Sequence, residues 1–178
     1  MNSFTKILMT LLLVAGLTAC KKDEVKDDTD SAAPIVDSGD SDPGASTDAL
    51  DPRNHTDVRN LDNPESLLAK RVIYFDYDQA TVRPEFRPVV AAHAEYLAAN
   101  GDAQLVLEGH ADERGTREYN LALGERRGNS VSGLMSAQGA RGSQMEVVSY
   151  GEERPICRET SDSCWGLNRR VEIVYTSR

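Results

Sequence analysis

The chain has 178 residues, a formal charge of −9 and three cysteines. That length gives one domain plus appendages, and the excess of acid excludes the broad basic face that nucleic acid requires. The excess is uneven, with 13 acids against 5 bases in residues 21–66 and 16 against 14 in residues 67–178.

The first segment, MNSFTKILMTLLLVAGLTAC, has one lysine, an apolar run from Ile7 to Leu17 and then small residues. This is the layout of a secretory signal peptide, and the run is too short for a transmembrane helix. Its end, Leu17-Thr18-Ala19-Cys20, resembles a bacterial lipobox. The resemblance implies cleavage after residue 19 and acylation of Cys20, whose chains would hold the protein to lipid at ~0.8 kcal/mol per buried methylene. Lys21, in place of an aspartate, implies by likeness to enterobacterial lipoproteins an outer-membrane destination. The alternative is an ordinary signal in which Cys20 is incidental.

Residues 20–66 are rich in Asp, Ser, Pro and Gly and show no apolar period. Such a stretch buries too little surface to offset its chain entropy, so a flexible acidic tether is expected there. Packed structure is expected over residues 67–178. Arg71 to Asp76 reads as a strand. Pro84 to Asn100 reads as a helix with Phe86, Val90, His93 and Leu97 on one stripe, irregular at its start because of Pro88. Gln104 to Glu108 is a second strand, and Thr116 caps a second helix running to Gln138 and ending at Gly139. Gln144 to Tyr150 and Arg170 to Tyr175 complete a β-α-β-α-β-β order. The expected fold class is α+β, a two-layer sandwich of one sheet with both helices on one face.

Two cysteines, Cys157 and Cys164, lie between the last two strands. In an exported chain they are expected to form a local disulfide; free thiols or a metal pair are the alternatives.

The stretch EGHADERG, residues 108–115, concentrates charge between a strand end and a helix start. Ligands often bind there in layered α/β structures. On the second helix Asn120, Leu123, Arg127, Val131 and Leu134 share a face, which places Arg127 on an apolar stripe. A guanidinium there needs a carboxylate or a ligand, and Asp112 is the expected neighbour. Held apart, Arg127 would suit a carboxylate and Asp112 an ammonium, the two poles of an amino acid. Closed on each other, they would be a structural ion pair. Spacing does not choose between the two.

FDYDQATVRPEF at 75–86, EGHADERGTREYNLALGERRGNSV at 108–131, VSYGEERP at 148–155 and NRRVEIVY at 168–175 resemble the OmpA-like peptidoglycan-binding family. The likeness covers roughly residues 68–176. It implies non-covalent binding of peptidoglycan through diaminopimelate of the uncrosslinked stem. The family's key aspartate and arginine fall on Asp112 and Arg127, with further contacts on Asp78, Arg114 and Leu123. Among the lipid-anchored members it also implies TolB and other Tol components as partners, and tethering of the outer membrane to the wall. Gly128 departs from the usual alanine and Gly133 is a further helix glycine, each costing up to ~1 kcal/mol against alanine. The Cys157–Cys164 insertion is not general in the family.

The rival readings are weaker. A metal hydrolase needs three or four ligands, and His110 with Asp112 gives two; His55 lies in the tether and His93 on the apolar stripe. His110 is expected instead to order the loop by hydrogen bonding. No serine or cysteine has the setting of an activated nucleophile, so no enzyme and no cofactor are expected. A module that binds only protein partners, with Asp112 and Arg127 structural, is the remaining alternative.

Overall fold

The computed structural model describes residues 50–178. The leader, Cys20 and the tether up to residue 49 lie outside the described residues.

Four strands form one sheet in the order β1-β4-β2-β3. They are β1 (Val72–Tyr74), β2 (Gln104–His110), β3 (Met145–Gly151) and β4 (Arg170–Ser177). β2 and β3 run parallel, with Leu107 opposite Val147, and are joined by α2 (Arg117–Ala137). β4 lies antiparallel to both β1 and β2, with Val171 opposite Ile73 and Ile173 opposite Leu107. Strand alternation sends Ile73, Leu105, Leu107, Val171 and Ile173 to one face. There they are buried with Val90, Ala94 and Leu97 of α1 (Arg87–Ala99) and Val131 and Met135 of α2. The expected α+β architecture is present.

The helix boundaries follow local chemistry. Pro84–Phe86 is a 3-10 turn, and the regular helix starts at Arg87, with Pro88 in the first turn where its missing N–H costs nothing. Thr116 Oγ1 accepts from Tyr119 N at the head of α2. Gly139 follows its end at φ +103°, a conformation open to glycine. His93 is a satisfied core histidine: its Nδ1 lies 2.9 Å from Tyr175 Oη and its Nε2 3.1 Å from Lys70 O.

Three observations depart from the expectations. A short helix, α3 (Asp162–Asn168), occupies the loop before β4; Ser161 caps it and Asp162 stands in its first turn. The packed unit also begins before residue 67. Val58–Leu61 is a 3-10 turn, Leu61 is 1% exposed, and Arg71 Nη2 donates to Leu61 O at 2.8 Å. Asn60, also buried, donates to the carbonyls of Asp51 and Asn54, which folds residues 51–60 on themselves. Composition hid this because a single leucine supplies the buried apolar contact, worth ~1.5–3 kcal/mol if fully buried, beside polar bonds such as Asn100 Nδ2 to Thr56 O at 3.0 Å. Finally, Gly128 is more than a loosened helix position. A Cβ there would stand 2.5 Å from Val147 Cγ1, so the glycine lets α2 lie close on β3.

Candidate functional site

α2 crosses β2 where two glycines meet. A Cβ on Gly109 would fall 2.0 Å from Gly124 O, and one on Gly124 would fall 2.4 Å from Ser149 Oγ. Backbone contact this close fixes the height of α2 over the sheet. It thereby sets where Leu123 and Arg127, on either side of Gly124, enter the space above the end of β2.

Arg127 is wholly buried. The expectation that Asp112 meets its charge is corrected: Arg127 spends its bonds on backbone. Nη1 donates to His110 O at 2.7 Å, Nε to Gln79 O at 2.8 Å and Nη2 to Asp76 O at 3.1 Å. The guanidinium thus ties the loop after β1 and the end of β2 to α2. Burial pulls its pKa down to about 10, and the nearby Arg169 pulls the same way while Asp112 opposes, so Arg127 remains cationic at neutral pH.

Asp112 is 4% exposed and is held by two other arginines. Its Oδ2 accepts from Arg114 Nη2 at 2.7 Å and from Arg169 Nη1 at 3.0 Å. Its Oδ1 accepts from Arg114 N at 3.1 Å and Nε at 3.2 Å. Burial alone would raise the carboxyl, but these bonds outweigh it and hold the pKa below the ordinary 3.8. Asp112 is therefore a carboxylate each of whose oxygens already accepts two hydrogen bonds.

The two residues come together without touching. One cleft is lined by Tyr77, Asp78, Asp112, Arg114, Tyr119, Asn120, Leu123 and Arg127. All five residues singled out from the sequence, Asp78, Asp112, Arg114, Leu123 and Arg127, stand on its wall. Asp78 holds a left-handed backbone at φ +56° and accepts from Tyr119 Oη. Sequence reasoning missed Tyr77, Tyr119 and Arg169, although the stretches at 75–86, 108–131 and 168–175 contain them.

His110 is a further correction. It is the last residue of β2, 1% exposed, and neither ring nitrogen has a hydrogen-bond partner; its carbonyl does the ordering, through Arg127. Burial, with Arg170 nearby, pulls its pKa down to about 4. Among the described residues no group of three or more His, Cys, Asp or Glu is placed to hold a metal ion. No described helix is long and apolar enough to cross a membrane.

The profile of the OmpA family matches residues 74–168. The chain belongs to the OmpA family. Its relatives within that family include the peptidoglycan-associated lipoprotein of Pseudomonas putida, 45% identical over 73% of this chain and 74% of that one. The peptidoglycan-associated lipoprotein of Pasteurella multocida is 34% identical over 98% of this chain and all of that one. Among solved structures, the peptidoglycan-associated lipoprotein from Burkholderia pseudomallei superposes with a TM-score of 0.64 at 40% identity. It spans 65% of this chain and 98% of its own.

A covalent link closes the loop before β4. Cys157 and Cys164 are joined, with Cα atoms 5.2 Å apart, as expected. Asn168 closes the same loop a second time: its Oδ1 accepts from Ile156 N at 3.0 Å and Cys157 N at 3.1 Å, and its Nδ2 donates to Cys157 O at 2.7 Å.

Proposed function

We propose that this chain is an outer-membrane lipoprotein that binds peptidoglycan non-covalently, through the diaminopimelate of an uncrosslinked stem. In this reading it tethers the membrane to the wall as part of the Tol system, with TolB among its partners. The observation that carries the proposal is the convergence of Asp78, Asp112, Arg114, Leu123 and Arg127 on one cleft. They come from the β1–α1 loop, the β2–α2 loop and one face of α2. The cleft offers both signs of charge, and the guanidinium of Arg127 has five N–H groups, of which three are committed to carbonyls. The side chain is fully buried in the unliganded protein, so in this reading a ligand carboxylate meets the two others only as the cleft opens. The carboxylates of Asp112 and Asp78 suit the ammonium beside it. Leu123 gives the carbon chain an apolar wall. Binding of this kind makes and breaks no covalent bond, so the proposal includes no catalysis. The names of the three relatives given above support it.

The test is titration of the full-length chain in detergent with a soluble muropeptide ending in diaminopimelate, beside one carrying lysine at that position. The wild type is expected to bind the first and to lose the second by about tenfold or more, since lysine lacks the distal carboxylate. Asp112→Asn is expected to weaken binding by at least about tenfold. Equal affinity for the two muropeptides, or none for either, overturns the reading of the cleft. Membrane anchoring is tested separately by Cys20→Ser, which is expected to move the protein to the soluble periplasmic fraction; continued sedimentation with membranes counts against acylation.

A further inference from the structure

Just past the disulfide-closed segment, one residue packs on the wall of the cleft. Trp165, the chain's single tryptophan, stands directly after Cys164 in α3. Its ring centre lies 4.1 Å from the guanidinium carbon of Arg114, and the Tyr77 ring lies 4.0 Å from the same carbon. Arg114 is thus flanked by two aromatic rings while its Nη2 and Nε donate to Asp112. The indole is fixed in turn: Nε1 donates to Glu113 Oε1 at 3.0 Å, and Thr160 Oγ1 donates to the same oxygen at 3.3 Å. The segment is therefore pinned to the residue between Asp112 and Arg114, and closed at its own base by the disulfide and by Asn168.

An arginine side chain carries large rotamer entropy, which a binding site must otherwise recover from the ligand. Arg114 is only part-buried, so the β2–α2 loop by itself leaves it freedom to swing away. Stacking on a ring restricts the guanidinium to one plane without using any of its N–H groups.

We propose that Trp165 is a positioning residue for the cleft. Held by the Cys157–Cys164 bridge, it keeps Arg114 on Asp112 and so preorganises the wall that receives the ligand. The inference rests on the proposed function and adds to it a requirement for the intact disulfide. A peptide ligand bound here meets a rigid arginine–carboxylate pair when the bridge is closed and a mobile one when it is open.

The experiment uses the full-length chain and the diaminopimelate muropeptide, titrated by calorimetry and by Trp165 fluorescence. Trp165→Ala and Cys157→Ser/Cys164→Ser are each expected to raise Kd by about three- to tenfold, the range that cation–π loss supplies. Trp165→Phe, which keeps a ring face but not the bond to Glu113, is expected to recover most of the affinity. Reduction of the wild type is expected to shift Trp165 emission to longer wavelength and to raise Kd to that of the double serine variant. Variants that bind like the wild type overturn the inference and leave the proposed function standing, as does Trp165→Phe binding no better than Trp165→Ala. A wild type that does not bind the muropeptide removes both.

Discussion

Replacing Arg127 by alanine tests whether this residue holds the fold as well as the cleft. The substitution removes a donor from three carbonyls, of which Asp76 O keeps a second, Gln79 N at 3.2 Å. The bond to His110 O is fully buried, and those to Gln79 O and Asp76 O are part-buried. Orphaning the first costs about 1–3 kcal/mol and each of the others about 0.5–1.5 kcal/mol, because water reaches them more readily. Loss of the stem, whose guanidinium carbon lies 5.3 Å from the Phe75 ring centre, adds a packing cost of about 2 kcal/mol. Relief of a buried positive charge offsets part of the sum. A net loss of about 2–5 kcal/mol is expected, a large share of the stability of an ordinary domain. Urea denaturation followed by far-ultraviolet circular dichroism measures it. With a slope of about 2 kcal/mol/M the midpoint should fall by about 1–2.5 M. Arg127→Lys should recover less than half, since one ammonium cannot span carbonyls on two separate segments. A midpoint for Arg127→Ala within about 0.3 M of the wild type would refute the reasoning and make Arg127 a residue held for the ligand alone.

Two further outcomes follow from burial and close contact. His93 and His110 are buried, and their pKa values fall from 6.5 to about 4. Between those values the unfolded chain binds more protons, so stability should be full above about pH 6.5 and decline by about 2–4 kcal/mol by pH 5. Asp112, held below 3.8, adds its own loss only at lower pH. A melting temperature that does not change from pH 7 to pH 4.5 would contradict this. At the glycines opposite signs are expected. Gly109→Ala should destabilise by at least about 2–3 kcal/mol, because its Cβ would overlap Gly124 O. Gly133 has nothing within 4 Å of a Cβ, so Gly133→Ala should stabilise by about 0.5–1 kcal/mol. Urea midpoints of the two variants decide, and a loss of stability at Gly133 would contradict the open space around it.

Regular elements and the charged turn were legible because they rest on period and on residue type. β2 and α2 alternate as their burial does, and Thr116 and Gly139 mark the ends of α2 where the structure has them. α3 escaped because seven residues interrupted by Gly166 carry no period to detect. The cleft was legible in its members and not in its bonds. Arg127 was expected to seek a side-chain charge, yet it took backbone carbonyls, which have no signature in sequence. Asp112 was taken by Arg169, 57 residues away, a pairing that only the antiparallel return of β4 beside β2 brings about.

The sheet order has a consequence for how the domain comes into being. β1 is hydrogen-bonded only to β4, and β4 stands between β1 and β2. Among the described strands the earliest to be synthesised therefore has no neighbour until the last one arrives. Pairing across nearly a hundred residues makes closure slow, so the sheet stays unfinished until the chain's last strand is made, and clipping within Arg170–Ser177 would undo both halves at once rather than trim one edge.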